Sequence, residues 1–187
     1  LMRLDTLKTV CFTVLGGHAA ALQFYLDRFP MPGDYLVAKR FRMAKDGGKG
    51  SNQAIAANRL GARVKLLSAV GKDAYGDEML AYMKKEGIET SGVLLSEKPT
   101  ALGCGFFLED GTPMGATALN ACEDVTAEYV RVHGEAFVNS DVILLSLEID
   151  VNAMIEGIKL GRKAGAKLIV LNPSPADALV GIRPPHV

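Results

Sequence analysis

The chain has 187 residues, of which 49% are hydrophobic and 22% are charged, a composition that supports a well-buried core and excludes a disordered chain. Its formal net charge is zero, which excludes the broad basic surface needed to hold nucleic acid or an anionic membrane. No apolar run is long enough to span a bilayer, so we expect no membrane-inserted segment.

The predicted elements alternate between short β-rich runs and helical runs, as in a parallel sheet covered by helices. In chain order they are a strand over 9–15, a helix over 51–60, a strand over 64–70, a helix over 73–86, a strand over 142–147, a helix over 151–164 and a strand over 167–171. Gly61 and Gly87 close the first two helices. The sequence therefore predicts an α/β protein.

The middle of the chain has a different character. The runs 93–95 and 101–108 predict antiparallel strands, and the second ends at a turn over 109–112. Together with part of the stretch 24–43, we expect these runs to form a small sheet apart from the parallel one.

The strongest candidate for a binding site is the glycine-rich segment Asp46-Gly47-Gly48-Lys49-Gly50-Ser51-Asn52, which leads into an alanine-rich helix. Glycines let the backbone approach a ligand closely, and a helix start presents unpaired N–H groups and the positive end of its dipole. Lys49 adds a cationic donor, and Asn52 adds both a donor and an acceptor. This set suits a polyhydroxylated or anionic small molecule.

Two better-known glycine-rich loops do not fit. A phosphate loop of the Walker type needs Gly-Lys followed by Ser or Thr, but Gly50 follows Lys49 and Asp73 follows Lys72. A dinucleotide fingerprint needs a preceding strand and an acidic residue some twenty positions later, and the stretches 35–45 and 68–72 supply neither. We exclude both.

The segment 47–62 resembles the first signature of the ribokinase-like (PfkB) carbohydrate kinase family, which ends at the glycine of Ser68-Ala69-Val70-Gly71. Further segments, at 27–34, 70–76, 144–148 and 171–175, are similar to other parts of that family in order and spacing. The resemblance covers nearly the whole chain. It implies a ribokinase-like three-layer fold, with a mostly parallel sheet flanked by helices, a small β-sheet lid and a truncated C-terminus. We accordingly expect one incomplete domain over 1–187, with lid strands from about 24–43 and 93–118.

The resemblance implies a sugar-binding role for Gly48, Lys49, Asn52 and Glu148. The position of Glu148 agrees, because it follows a predicted strand and open α/β sheets bind ligands beyond the carboxyl ends of their strands. Simpler interpretations remain open for each residue. Glu148 could instead favour the positive end of the next helix, Asn52 could be an N-terminal cap, and the glycines could form only a tight connection. Neither a catalytic residue nor a metal ligand is assigned within the chain.

Other polar residues receive no role in the site. Asn172 precedes a proline and is interpreted as the end of a strand. His18, His133 and His186 stand apart from any carboxylate or cysteine arrangement. The three cysteines are odd in number and widely spaced, which indicates structural thiols in a reducing compartment. With no export signal apparent at the N-terminus, we expect a cytoplasmic protein.

Two departures from the family pattern affect function. Ala19 and Ala21 stand where the pattern after the first strand has an asparagine and an aspartate, so sugar binding is expected to be weaker or the substrate different. The family's Gly-Ala-Gly-Asp motif, whose aspartate is the base for phosphoryl transfer, occurs nowhere in the chain.

The leading hypothesis is therefore the N-terminal part of an ATP-dependent sugar kinase, using ATP and Mg²⁺ by family resemblance and pairing through its lid into a homodimer. The alternative is a non-catalytic relative that keeps the fold as a binding or assembly module. A dehydrogenase domain is disfavoured because its fingerprint is missing.

Overall fold

Strands and helices alternate along most of the chain. The computed structural model describes residues 9–176, and His186 lies outside them. The strands are β1 (Cys11–Leu15), β2 (Ala19–Tyr25), β3 (Arg40–Gly47), β4 (Arg63–Gly71), β5 (Val93–Ser96), β6 (Ala101–Phe107), β7 (Pro113–Ala118), β8 (Val142–Ser146) and β9 (Leu168–Asn172). The α-helices are α1 (Lys49–Arg59), α2 (Ala74–Lys85), α3 (Ala127–Val132) and α4 (Val151–Lys163), and two short 3₁₀ helices cover Asn120–Asp124 and Gly134–Phe137. The seven elements predicted for the main alternation are confirmed to within two residues at each end.

The larger sheet has five parallel strands in the order β5-β4-β1-β8-β9. Successive side chains of a strand point to opposite faces, so the central strand β1 contributes side chains to the core on both faces of the sheet. Val14 packs in a cluster with residues of α1, whereas Leu15 packs in a second cluster with residues of α3 and α4. Both side chains are fully buried, and the result is a three-layer arrangement of helices, sheet and helices.

The smaller sheet, which we call the lid sheet, has four strands in the order β3-β2-β6-β7. The central pair, β2 with β6, is parallel, and the two outer pairs are antiparallel. The sheet joins the rest of the molecule through a small cluster in which Ala20 packs with Val70 and Met79. All six residues of β7 are exposed, so this outer strand is the least buried of the sheet.

The structure corrects one part of the predicted lid. The run at 93–95 forms β5, which pairs in parallel with β4 from Ser68↔Val93 to Gly71↔Ser96 and belongs to the larger sheet. It makes no antiparallel pair with β6, whose partners are β2 and β7. The prediction was wrong because a short apolar run does not reveal which sheet it joins.

The first two strands of the lid sheet, β2 and β3, extend beyond the predicted stretch 24–43 at both ends. Strand β2 begins at Ala19, because three alanines of low strand propensity are held between β3 and β6 by tertiary pairing. Strand β3 continues to Gly47, so the first two residues of the glycine-rich segment belong to a strand. Over residues 9–176, no helix has the length and apolar character that crossing a membrane requires.

Candidate functional site

The candidate site lies where the strand order of the larger sheet reverses. From β1 the chain proceeds to β4 and β5 on one side, and from β8 it proceeds to β9 on the other. A crevice forms at the carboxyl ends of strands at such a switch point. Gly16 and Gly17 follow β1 there, and Glu148 follows β8.

Helix α1 begins directly against this crevice. Its N-cap, Gly48, has φ +91°, and a Cβ at that position would lie 2.6 Å from the carbonyl oxygen of Gly17. A Cβ at Gly50 would lie 2.6 Å from the carbonyl carbon of Gly16. The backbone N–H of Ser51 donates to the carbonyl oxygen of Gly17 at 3.2 Å. Glycine is therefore needed at both positions, because the start of the helix packs backbone to backbone against the end of β1.

Lys49 and Glu148 are in direct contact although 99 positions separate them in the chain. The Glu148 carboxylate accepts one hydrogen bond from the Lys49 backbone N–H and one from its ammonium group, with Nζ 2.8 Å from Oε1. The Glu148 side chain is 11% exposed and that of Lys49 is 36% exposed. The carboxylate thus occupies the positive end of α1 and is paired there, while the ammonium group reaches toward solvent.

Asn52 lies in the first turn of α1, three residues after Lys49 and on the same side of the helix. Its side chain is exposed. The interpretation of Asn52 as an N-terminal cap is wrong, because the cap is Gly48 and Asn52 is already the fourth helical residue. The structure brings Gly48, Lys49 and Glu148 into one cluster and places Asn52 beside it on the same helical turn.

A cleft of about 560 Å³ lies against the lid sheet, and Lys49 is the member of this cluster that lines it. Lys49 lines one wall, and residues of β2, β6 and β7 line the other. Ala21, one of the two departures, lies on the lid wall, whereas Ala19 is buried and pairs with Gly47. Among the described residues that line the cleft, Lys49 is the only charged one.

Sequence reasoning missed most of the lid wall. Among its residues are Gln23, Gly103, Gly105, Phe107 and Thr117. The alternation of Gly103, Gly105 and Phe107 along β6 is a signal that could have found these three, since every second residue of a strand shares a face. That signal becomes usable only once the strand partners are known.

Several buried polar side chains surround the end of β1. His18 is fully buried, and its ring nitrogens have no hydrogen-bond partner among residues 9–176. Burial lowers the pKa of His18 to about 4, with a weak opposing effect from the nearby backbone of Met79. Burial likewise raises the pKa of the Cys122 thiol to about 11, and its Sγ lies 3.5 Å from the His18 carbonyl oxygen. His18 is therefore a neutral residue at the junction of the two sheets.

The described residues do not form a complete site for a nucleotide or a metal. Within residues 9–176 there is no cluster of three or more His, Cys, Asp or Glu side chains that could hold a metal ion. The one cation on the cleft, Lys49, is already paired with Glu148. Among the described residues, the cleft therefore offers a ligand one charged donor, Lys49, beside neutral side chains and backbone.

A parallel sheet between helices, with a second, smaller sheet beside the carboxyl ends of its strands, defines a three-layer α/β protein with a lid sheet. Residues 15–184 match the family described as pfkB family carbohydrate kinase, and the chain belongs to that family. The predicted family and the predicted ribokinase-like fold are both confirmed.

Individual relatives agree with this assignment. The chain is 32% identical to a ribokinase from Haemophilus influenzae over 168 residues, which are 89% of this chain and 54% of the relative. It is 29% identical to a deoxyribokinase from Salmonella typhi over 167 residues, 87% of this chain and 53% of the relative. Among solved structures, Arabidopsis thaliana ribokinase complexed with ribose and ATP matches with a TM-score of 0.75 at 24% identity, over 88% of this chain and 53% of that one. The chain thus spans about half the length of the relatives that it matches.

Proposed function

We propose that this chain is the sugar-binding part of an ATP-dependent sugar kinase, which transfers the γ-phosphoryl group of ATP to a sugar hydroxyl. Membership of the carbohydrate kinase family and the likeness to a ribokinase and a deoxyribokinase support the reaction class. The observation that carries the proposal is the Lys49–Glu148 pair at the switch point, whose lysine lines a cleft against the lid sheet.

In this proposal the cluster recognises hydroxyl groups by exchanging hydrogen-bond partners. The Glu148 carboxylate accepts from a sugar O–H, and the part-exposed Lys49 ammonium donates to a sugar oxygen. Asn52 supplies an amide that does both, and Gly48 lets the helix start pack closely enough on the end of β1 to place Lys49 at the site. Because the strand ends and the helix start fix these groups, the sugar meets donors and acceptors that are already oriented.

Phosphoryl transfer needs groups around the transferring phosphate and a base to take the hydroxyl proton. ATP would supply the phosphoryl group and Mg²⁺ would neutralise its charge. The 187 residues contain no Gly-Ala-Gly-Asp motif, which carries the base in this family. We propose that the chain by itself binds sugar without catalysing the transfer.

A coupled assay of ATP consumption tests the function, using protein expressed from its complete gene and a panel of pentoses, hexoses and nucleosides. We expect turnover with at least one member of the panel, and loss of that turnover in Glu148→Ala. Glu97→Ala is the matched control, since Glu97 is an exposed residue paired with Lys72. No turnover with any acceptor contradicts the kinase assignment.

The alternative is a non-catalytic relative that binds a sugar or nucleoside and keeps the kinase fold. The presence of Ala21 on the lid wall favours it, because that wall has no carboxylate to hold a sugar. Calorimetry separates the two functions. Sugar binding without ATP consumption by the complete gene product identifies the binding protein.

A homodimer through the lid sheet is also part of the proposal. Within residues 9–176, β3 and β7 each pair with a single neighbour and leave an open strand edge, and such edges are usually covered. We expect a dimer in sedimentation that β7 variants weaken, and a strictly monomeric species would contradict it. The three cysteines are unpaired, which supports our placement of the protein in the cytoplasm.

A further inference from the structure

The lid sheet meets the body of the molecule at the start of its two central strands. Strands β2 and β6 begin side by side at the paired residues Ala19 and Ala101, which are both buried. They pack in one cluster with Cys122, which lies on the first 3₁₀ helix. His18 directly precedes β2 and is fully buried as well. We call this group of residues the lid root, because the position of the central lid strands depends on its packing.

His18 is a titratable side chain that the proposed function does not use. Its ring is fully buried, and neither ring nitrogen has a hydrogen-bond partner among residues 9–176. A protonated imidazole carries an N–H group on both nitrogens, so protonation in this position would bury a positive charge together with two unpaired donors. The lid root, packed as it is, therefore accommodates only the neutral ring.

Two ionisable groups on neighbouring elements do not offset such a charge. Burial raises the pKa of the Cys122 thiol to about 11, so this group is uncharged at neutral and acidic pH. The Glu148 carboxylate, which follows β8, is held by the backbone N–H and the ammonium group of Lys49. One group is thus neutral and the other is already paired with a cation.

The acidic residues of α2, whose backbone lies beside the imidazole ring, are exposed or already paired. Asp77 and Glu78 are exposed, and the Asp73 carboxylate at the helix cap accepts from the N–H and hydroxyl groups of Thr100. On β4, the buried residues 68–70 carry no ionisable group. Within the described part of the chain, a protonated ring would therefore have no counter-ion in the elements packed against it.

A movement of His18 reaches the candidate site through the preceding residue, Gly17. A Cβ at Gly17 would lie 2.7 Å from Oε2 of Glu148, and a Cβ at Gly48 would lie 2.6 Å from the Gly17 carbonyl oxygen. The connection between β1 and β2 is thus packed between Glu148 and the start of α1. On its other side it continues into β2, which carries Ala21 of the lid wall. Displacement of His18 therefore changes both walls of the cleft.

We propose that His18 makes the lid sensitive to acid, because protonation of its ring releases the lid root from the body and weakens ligand binding in the cleft. His18 is a positioning residue in this proposal, since it acts through Gly17 and β2 and does not touch the ligand. The release of the lid root stands on the packing alone, whereas its effect on ligand binding rests on the proposed function.

The direction of the pH dependence follows from the two states of the ring. In the packed lid root, burial lowers the pKa of His18 to about 4, whereas a ring that has opened to water has the ordinary value of 6.5. Between these values the open form binds more protons than the packed form. The ratio of open to packed protein should therefore be constant above about pH 7 and should rise below about pH 6.5, by about thirtyfold at pH 5.

The buried Cys122 thiol reports directly on opening of the lid root. Its Sγ lies 3.5 Å from the His18 carbonyl oxygen, so a reagent reaches it only after the root has opened. The complete gene product is treated with a pyridyl disulfide at about pH 7.5 and about pH 5, and labelling of each cysteine is followed by mass spectrometry. Half-buried Cys104 on β6 serves as the reference for the effect of pH on the labelling chemistry.

We expect the labelling rate of Cys122, relative to Cys104, to rise about thirtyfold between the two pH values. A ratio that does not change with pH overturns the inference. Buried Cys11, at the opposite end of β1 from His18, distinguishes local opening from global unfolding. Its labelling should remain slow at both pH values, and an equal acceleration at Cys11 and Cys122 would also overturn the inference.

Variants assign the effect to the ring. His18→Leu has a similar volume and no titratable nitrogen, and His18→Gln is a second variant that stays neutral, so both should lose the acid-dependent labelling of Cys122. His133→Leu is the matched control and should respond as the parent protein does, because the half-buried His133 ring lies on Tyr129, with Nδ1 2.9 Å from the Tyr129 carbonyl oxygen. Retention of the full response in both His18 variants would show that another group controls the lid.

Steady-state kinetics of the complete gene product measure the consequence for the site. Relative to His18→Leu, the parent protein should show a KM for the sugar that rises severalfold from about pH 7.5 to pH 5, and by at most about thirtyfold, since only the packed form binds. The ratio of kcat values should not change, because saturating sugar returns the lid to the packed form. A KM ratio independent of pH overturns the inference. If no sugar is turned over at any pH, the proposed function fails, and the Cys122 labelling still decides whether the lid root opens.

Discussion

The two walls of the cleft are built on different principles. On the side of the larger sheet, Glu148 is buried and held by the backbone N–H and ammonium group of Lys49, at a point where two strand ends meet a helix start. On the lid side, β7 is exposed throughout and glycines leave the backbone bare. The first wall holds charged groups in fixed positions, whereas the second presents mainly exposed backbone and uncharged side chains. In the proposed function, affinity for hydroxyl groups resides on the rigid wall and selectivity among substrates on the lid.

Glu148→Ala is the strongest way to break this contrast. Removing the carboxylate leaves the Lys49 ammonium and the start of α1 without their partner, and because that ammonium is part-exposed we expect the free energy of unfolding to fall by about 1.5 kcal/mol. Sugar affinity is expected to fall about a hundredfold or more, because a charged hydrogen-bond partner is lost. Urea denaturation and calorimetry measure the two effects.

Glu148→Gln is the control for shape. The amide oxygen can still accept from the Lys49 N–H, so more of the stability should remain while sugar binding stays weak. An alanine variant as stable as the parent protein, with unchanged sugar affinity, would show that the rigid wall has no special role.

The pH dependence of stability tests the burial of His18 at the junction between the two sheets. Its pKa is about 4 in the folded protein against an ordinary value of 6.5, so the unfolded chain binds more protons between these values. Stability should therefore be unaffected by this group above about pH 7 and should fall as the pH drops from about 6.5 to 4, by about 3 kcal/mol in total. Denaturation curves across this range give the measurement.

Other acidic groups contribute to acid unfolding, so the His18 effect is read as a difference from His18→Leu, a variant of similar volume without titratable nitrogens. The gap between the two proteins should widen as the pH falls. Parallel stability profiles would mean that His18 is hydrogen-bonded or hydrated in the folded protein.

Ala21→Asp sharpens the contrast by giving the lid wall a charge. The new carboxylate would face the cleft opposite Lys49, and a hydrogen bond to a charged group contributes about 1.5 to 3 kcal/mol. We expect free-sugar affinity to rise about tenfold or more in calorimetry. Ala38→Asp, in the connection between β2 and β3, is the control for added negative charge. An unchanged affinity would show that the missing aspartate does not limit sugar binding.

The sequence predicted the scaffold because its signals are local. Gly61 and Gly87 closing helices, and apolar runs of strand length, are read without knowledge of the partners. The sheet to which Val93–Ser96 belongs could not be read in this way, since it depends on pairing with β4. The Lys49–Glu148 contact spans 99 positions, and only the family resemblance brought the two residues into one site beforehand. The face of the lid sheet that Phe107 occupies likewise follows from its register with Tyr25.

Asn52→Ala is the smallest and most selective change. Its side chain is exposed and does not cap α1, so stability should change by no more than about 0.5 kcal/mol. If the amide contacts the sugar, affinity should fall about fivefold, the value of one ordinary hydrogen bond. Asn58→Ala on the same helix is the matched control and should behave in the opposite way. Its Nδ2 donates to the Glu86 carbonyl oxygen at 2.6 Å, so its loss should cost about 1 kcal/mol of stability and leave sugar binding intact. An Asn52→Ala variant with undiminished affinity would restrict the hydroxyl-binding cluster to Gly48, Lys49 and Glu148.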